Sequence, residues 1–352
     1  MDLTFLPWHG DAWARLPREG DRLPQALLLH GPEGIGKGRF ATALAASLLC
    51  TARSATGLAC GRCASCHWIL AGTHPDLRLV LPPALAAKAD AKEGDEAEAA
   101  TRKDDDDKRK ADSLQIGIEQ IRSLSGFATL TSYRGGAKVT LLQPAESMTL
   151  AAANALLKTL EEPSPGSMFL LVSHRPHFLP ATVRSRCRPI ALGIPSADAS
   201  LAWLRASGLA RPEIPLALAG GAPLLALSEA SEAQVRVRAA FLQAIADPDT
   251  ALIATADRLR NQPVDVLLGL MQRWVHDIAL LLAGGGVRYN PDASDALERL
   301  AERTTLKRAI RTGRVLQQAR RLVHHPLNAA LHLEGLLLTY RSLFEDAAAR
   351  LR

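Results

Sequence analysis

The stretch LLLHGPEGIGKGRF, residues 27–40, decides the fold of this chain. Its leucines form an apolar run that predicts a buried strand, and the residues after Gly36 have the pattern of a helix. Between them, Gly31, Gly36 and Lys37 fit the motif G-x-x-x-x-G-K-[ST], in which backbone N–H groups surround a phosphate and the lysine reaches the outer phosphates. This order predicts a loop of nucleotide-binding ancestry. The alternative is a strand-to-helix turn that needs glycine only for backbone freedom.

The phosphate motif lacks two groups that bind magnesium. Gly38 stands where the motif requires the hydroxyl of Ser or Thr, and glycine offers no oxygen to a hard cation. Gln143-Pro144 stands where a nucleotide-hydrolysing protein carries an aspartate for magnesium and a glutamate for water, and Glu146 lies three positions further on. We therefore predict a degenerate phosphate loop with doubtful ATP binding and no hydrolysis, formed by Gly31, Gly34, Gly36, Lys37 and Gly38.

Length and composition set the size and class of the protein. A chain of 352 residues with 47% hydrophobic residues predicts two or three domains. The net charge of +6 comes from 42 basic and 36 acidic residues, a mixed surface that is compatible with acidic partners but names none. The start of the sequence lacks the features of a signal peptide, and polar residues interrupt its most apolar stretch, residues 264–284. We expect a cytoplasmic protein.

Four of the five cysteines lie close together in the sequence. Cys60, Cys63 and Cys66 form two adjacent C-x-x-C steps, and Cys50 ends the predicted helix before them. Because such spacing lets four thiolates share one ion, we predict a structural zinc site formed by Cys50, Cys60, Cys63 and Cys66. His67 is a possible substitute ligand, whereas Cys187 is distant in sequence and is interpreted as a buried thiol.

Two other interpretations of the cysteines remain open. A C-x-x-C-x-x-C run resembles part of an iron–sulfur ligand set, although the expected further cysteine followed by proline is absent. A disulfide pair is the other possibility, and cytoplasmic proteins rarely keep one.

Strands and helices alternate in the first half of the chain. After the strand at 27–29, apolar runs predict strands at 76–81, 138–142, 168–173 and 190–192. Between them lie an amphipathic pattern from residue 116 and a second helix with Thr149 as its N-cap, a stripe of Leu150, Ala153, Leu157 and Leu160, and a stop at Pro163. Such alternation predicts an α/β fold with a parallel five-stranded sheet.

Two segments differ from this alternation. Residues 83–112 are rich in alanine, lysine and acids, which predicts a mobile loop without a core. After Pro195 the pattern is entirely helical, with breaks at prolines and at residues 284–286, which predicts a helical bundle.

Three arginines, Arg184, Arg186 and Arg188, alternate near the end of the first half. They are compatible with a solvated basic strip, with a nucleic-acid contact, or with an arginine directed at a phosphate in a neighbouring subunit.

Several motifs in this order resemble the bacterial DNA polymerase III clamp-loader family of AAA+ proteins. They are the phosphate loop, the four-cysteine insert, His74-Pro75-Asp76, the run NALLKTLEEP at 154–163 and the triplet Ser185-Arg186-Cys187. The resemblance is specific over residues 1–192. Beyond them it rests on length and general pattern.

The resemblance implies a domain plan and a set of partners. It implies an AAA+ domain at 1–192 with a zinc module near 50–66, a helical lid at 193–230 and an all-α collar at 231–352. The expected partners are the delta and gamma/tau subunits in a five-membered ring, the sliding clamp and primed DNA. The chain would then be a subunit of a DNA-directed DNA polymerase complex without catalytic activity of its own.

The departures from the family pattern indicate a member that does not hydrolyse ATP. Gly38 and Gln143-Pro144 lack the metal ligands, and Gly220-Gly221 resembles the lid segment of the family without its γ-phosphate-sensing arginine. By resemblance, Arg186 is a finger that reaches the ATP of an adjacent subunit; pairing within its own fold is the alternative. An active ATPase subunit like gamma/tau and a separate zinc-dependent DNA-binding protein are the other functions considered.

Overall fold

The computed structural model describes residues 3–16, 24–90, 113–129, 132–133, 136–245, 252–320 and 329–345. The chain divides into two compact units, Met1–Pro195 and Ser196–Arg352. The finer division of the second unit at residue 230 stays a prediction.

A five-stranded parallel sheet forms the centre of the first unit, as predicted. The strands are β1 (Ala26–His30), β2 (Leu77–Val80), β3 (Lys138–Leu142), β4 (Ser167–Ser173) and β5 (Arg188–Ala191). Their order in the sheet is β2-β3-β4-β1-β5, and every neighbouring pair is parallel. The central strands β3 and β4 are buried along their whole lengths, whereas the edge strands expose residues, which agrees with a sheet flanked by helices.

Helices connect the strands of this sheet. They are α1 (Gly10–Ala14), α2 (Lys37–Leu49), α3 (Ala64–Leu70), α4 (Pro83–Asp90), α5 (Ile118–Thr129), α6 (Leu150–Glu161) and α7 (Ala181–Arg184). Helix α2 contacts β1, β3 and β4, and α5 and α6 pack on a core that includes Leu28 and Phe169. Because the strands are parallel, the carboxyl ends of β1, β3 and β4 meet at one edge, where ligands of such sheets bind.

Helix α6 follows its predicted limits but not its predicted stripe. The Thr149 side chain accepts a hydrogen bond from the N–H of Ala152 at 3.2 Å, so the N-cap is confirmed. Leu150 is 70% exposed, whereas Leu156, which was not in the predicted stripe, is fully buried. The prediction was wrong at Leu150 because the buried face of the helix runs through Ala152, Ala153, Leu156 and Leu160, and Leu150 lies to one side of it.

The predicted mobile loop at 83–112 is wrong for its first residues. Residues Pro83–Asp90 form helix α4, which begins with a proline and continues with alanines, both favourable at these positions. The N–H of Ala84 donates to the carbonyl of Ser113 at 3.1 Å and ties the helix start to the chain beyond the loop. Residues 91–112 lie outside the described residues.

The second unit is all-helical in its described residues. A small core contains Leu204, Leu216 and Ala226, and a larger core surrounds α13, including Trp274. The segment 215–230 is two helices, because Gly220 and Gly221 turn the chain with φ of 63° and 89°. The helices are α8 (Ala197–Ala206), α9 (Glu213–Leu218), α10 (Pro223–Glu229), α11 (Glu232–Ile245), α12 (Leu252–Leu259), α13 (Val264–Leu282), α14 (Ser294–Glu302), α15 (Leu306–Ala319) and α16 (Ala329–Arg341). In the described part of the chain, no helix has the length and apolarity needed to cross a membrane.

Candidate nucleotide loop, metal centre and arginine finger

The loop after β1 has the backbone of a phosphate loop. Gly34 and Gly36 have φ of 77° and 88°, values that strain any other residue. A Cβ at Gly36 would lie 2.2 Å from Leu6 Cδ1, and one at Gly31 would lie 2.0 Å from the carbonyl oxygen of Leu192. Gly31 is thus required by the close approach of backbone, and Gly34 and Gly36 are required by their conformation.

Lys37 is buried and faces its own loop. Its side chain is almost completely buried, and Nζ donates to the carbonyl of Pro32. Burial lowers the pKa of Lys37 to about 8, against the opposing effect of the carboxylates of Glu146 and Glu33. In this structure the ammonium group that reaches phosphate in the motif is satisfied by the loop itself.

The two positions that lack magnesium ligands are in direct contact. A Cβ at Gly38 would lie 2.6 Å from Oε1 and 2.8 Å from Nε2 of Gln143. The Gln143 amide therefore takes the space that a Ser or Thr side chain at position 38 needs. The two losses are separate features of the sequence, and the structure brings them together, with Gly38 in the first turn of α2 and Gln143 directly after β3.

Glu146 is engaged with the next strand. Its Oε1 accepts the backbone N–H of His174, directly after β4, at 2.9 Å. Burial lowers the pKa of His174, and the nearby Lys37 charge acts in the same direction. One carboxylate oxygen of Glu146 is thus bound to the backbone, whereas Oε2 is buried without a hydrogen-bond partner.

His9 covers the loop and was not singled out by the sequence. It is 2% exposed, and its ring meets that of Phe40 edge-on at 5.4 Å. Burial lowers its pKa to about 4, and the charges of Arg39 and Lys37 act in the same direction. The neighbouring Trp8 donates from Nε1 to the carbonyl of Ile35 at 2.9 Å, which holds this segment on the loop.

We expect stability to depend on pH through His9. Because its folded pKa lies below the ordinary value near 6.5, the unfolded chain binds the proton more readily, so stability falls as the pH drops from 6.5 toward 4. The loss is at most about 3 kcal/mol. Urea unfolding across this pH range measures it, and His9→Leu should reduce the slope there. An unchanged slope in His9→Leu would contradict the assignment.

The four cysteines form one cluster. The sulfur atoms of Cys50, Cys60, Cys63 and Cys66 all lie within 4.8 Å of one another. His67 is exposed and is not a member of this cluster, so the structure gives it no ligand role. Cys187 is buried in the sheet core, as predicted for an ordinary thiol, and burial raises its pKa to about 11.

The geometry of the cluster fits a tetrahedral metal ion. Ligands at about 2.3 Å from a zinc ion lie about 3.8 Å apart at the corners of a tetrahedron. The sulfur distances are 3.9 Å for Cys50 to Cys63, 3.5 Å for Cys63 to Cys66, 3.8 Å for Cys66 to Cys50 and 4.0 Å for Cys60 to Cys66. A disulfide requires about 2.05 Å, so none of these pairs is one.

Backbone groups favour thiolates in this cluster. The N–H groups of Ala52 and Cys60 donate to Cys50 Sγ at 3.4 and 3.3 Å. Burial raises the pKa of Cys63, but hydrogen bonds from Thr51 and Cys66 outweigh it and lower that pKa to about 5. Burial raises the pKa of Cys66 to about 12. A metal ion at this position would displace the remaining thiol protons.

Arg186 is exposed and paired within its own chain. It follows α7, Nη1 donates to the carbonyl of Thr182 at 2.9 Å, and Nη2 donates to Glu161 Oε1 at the end of α6. The alternating arginines do not share one strand, since Arg184 ends α7 and Arg188 begins β5. Glu161 lies in the run at 154–163, but the sequence pattern assigns it no role, because a contact across 25 positions has no local signal.

Comparisons with known proteins agree with these features. The family model described as "DNA polymerase III, delta subunit" matches residues 14–195. DNA polymerase III subunit delta' of Pseudomonas aeruginosa is 35% identical over 96% of this chain and 98% of that protein. Its counterpart in Yersinia pestis is 36% identical over 64% of this chain and 61% of that protein.

The comparison with solved structures also gives matches. A DNA polymerase III gamma subunit-related protein from Thermotoga maritima is 16% identical, with 92% of this chain and 96% of that chain covered and a TM-score of 0.41. The family assignment rests on the sequence matches, which span more than half of the chain for the model and nearly all of it for the Pseudomonas protein. The resemblance to clamp loaders is confirmed, and the chain belongs to the DNA polymerase III subunit delta' family.

Proposed function

We propose that this chain is a subunit of the clamp-loader ring that does not hydrolyse ATP and that gives Arg186 to the ATP of a neighbouring ATPase subunit. Its partners in the ring are the delta and gamma/tau subunits. The ring acts in the cytoplasm, where it opens the sliding clamp and places it on primed DNA.

The contact between Gly38 and Gln143 carries the proposal that the chain does not hydrolyse ATP. Magnesium in a phosphate loop needs the hydroxyl after the lysine and the carboxylate at the end of the third strand. Here Gly38 stands at the hydroxyl position and has no side chain, and the Gln143 amide, at the carboxylate position, fills the space beside it. A single substitution at either position therefore leaves the other ligand missing.

The position of Arg186 supports a role in trans. The side chain is 33% exposed, so a guanidinium group is available at the surface of the first unit. A cation at this place opposes the negative charge that develops on a transferring phosphoryl group. The intrachain contacts of Arg186 do not bury it.

The cysteine cluster supports a structural zinc site. Four sulfur ligands at tetrahedral spacing leave no open position for substrate. The module is tied to the rest of the unit, because Trp13 Nε1 donates to the carbonyl of Thr56 at 3.1 Å. We assign it a role in shaping this side of the first unit.

ATP turnover tests the proposal. The isolated chain should show no hydrolysis above background, and Lys37→Ala should leave that background unchanged. In the reconstituted ring, Arg186→Ala should lower hydrolysis severalfold at the one ATP site that it reaches, and the total steady-state ATPase should fall by that site's share, because the other sites continue. Size-exclusion chromatography of the same samples checks that the ring assembles.

Two results would overturn the proposal. Hydrolysis by the isolated chain that Lys37→Ala abolishes would make this chain an ATPase in its own right. Full ATPase activity of the assembled Arg186→Ala ring would refute the finger role of Arg186. Arg184→Ala, a matched change two residues away, should leave the rate close to that of the wild type.

A further inference from the structure

Two groups from different elements hold the Arg186 side chain. Glu161 is the last residue of α6 and binds Nη2, whereas Thr182 lies in α7 and its carbonyl binds Nη1. Helices α6 and α7 are in contact, so these two anchors form one local structure. The guanidinium group is thus fixed at both of its terminal nitrogens.

Simple stabilisation of the fold does not explain this arrangement well. The two side chains are 33% and 49% exposed, and ion pairs in such positions contribute little to stability. A free arginine side chain has many rotamers, and it loses part of this freedom on binding a phosphate. An anchor that fixes the guanidinium beforehand reduces this loss.

The anchors also leave donors for another ligand. A guanidinium has five N–H donors, and those not used by Thr182, Ser185 and Glu161 remain for phosphate oxygens. Because the exposed pair with Glu161 is weak, it does not hold Arg186 against a highly charged triphosphate. Glu161 is therefore suited to orient the Arg186 guanidinium, and it does not prevent that group from binding phosphate.

We propose that Glu161 is a positioning residue for Arg186: it orients the guanidinium for ATP bound in the neighbouring subunit. This inference rests on the proposed finger role of Arg186.

Substitutions at Glu161 in the reconstituted ring test this role. Glu161→Ala should lower kcat for ATP by part of the loss that Arg186→Ala causes, at most about fivefold at the affected site, which is the equivalent of losing one exposed ion pair. KM for ATP should stay unchanged, because the residue does not contact substrate. Glu161→Gln should keep most of the activity, since its amide oxygen can accept the same hydrogen bond from Nη2.

Two controls separate positioning from other effects. Glu162→Ala removes the same charge one residue along and should match the wild type. In the Arg186→Ala background, Glu161→Ala should cause no further loss. Chromatography again establishes that each ring assembles.

The outcomes distinguish the two proposals. If Arg186→Ala lowers the rate but Glu161→Ala does not, or if Glu161→Ala raises it, the positioning role is wrong and the finger remains. If Glu161→Ala lowers the ATPase rate by the same factor in the wild type and in Arg186→Ala, the positioning role is also refuted. If Arg186→Ala itself has no effect, both proposals fail.

Discussion

Removing one cysteine of the cluster is expected to release the metal and unfold residues 50–66. Cys66→Ala deletes a ligand that is fully buried, and structural zinc sites of this kind contribute apparent binding free energies of about 10 kcal/mol or more. We expect about one zinc ion per chain in the wild type, loss of that ion in Cys66→Ala, and a Tm of the first unit lower by at least about 10 °C. Elemental analysis and calorimetry measure these quantities.

Loss of the metal should also affect the rest of the first unit, because residues 50–66 are hydrogen-bonded to it. Trp13 donates to Thr56 of the module, and its ring packs against Phe5 at 4.9 Å and Phe40 at 5.7 Å. A chelator should therefore change tryptophan fluorescence as well as metal content.

A buried thiol outside the cluster provides the matched control. Cys187→Ala should keep its zinc, because Cys187 lies in the sheet core. Visible absorption from an iron–sulfur cluster, or a wild type that binds no metal and keeps its Tm in chelator, would contradict the zinc assignment.

Substitution of Asp277 should strongly destabilise the second unit. This carboxylate is completely buried in α13 and accepts the backbone N–H groups of Arg288, Tyr289 and Asn290 at 2.9 to 3.2 Å, as well as Nδ2 of Asn290 at 2.9 Å. Asp277→Ala leaves several buried donors unsatisfied, each costing about 1–3 kcal/mol. We expect the free energy of unfolding to fall by about 4 kcal/mol, measured by urea denaturation of the full chain.

Two further variants make this prediction specific. Asp265→Ala removes an exposed carboxylate from the first turn of the same helix and should cost less than about 1 kcal/mol. The free energy of unfolding lost in Asp277→Asn should lie between the losses in Asp265→Ala and Asp277→Ala. The asparagine oxygen still accepts a hydrogen bond, but its amide group faces other donors. Hydrogen exchange should show the loss of protection at 288–290. A stable Asp277→Ala protein with normal exchange there would refute the role.

The predictable parts of the fold were those with local signals. Apolar runs predicted all five strands, and Thr149 and Pro163 predicted the limits of α6. The exposed Leu150 shows where periodicity failed, since spacing along a helix does not reveal which of its apolar positions the neighbouring core covers. Composition failed similarly at α4, because alanine and lysine suit an exposed helix as well as a loop.

The sequence by itself determined the four-cysteine cluster and the family, and it predicted the degenerate nucleotide loop, because each depends on residue type and spacing along the chain. Only the tertiary structure placed Gln143 against Gly38, His9 over the loop, Glu161 on Arg186 and Asp277 beneath its loop. Each of these contacts joins segments that are separated along the chain. Their partners are set by strand order and helix packing, and no local pattern of residues encodes which distant atom fills a given space.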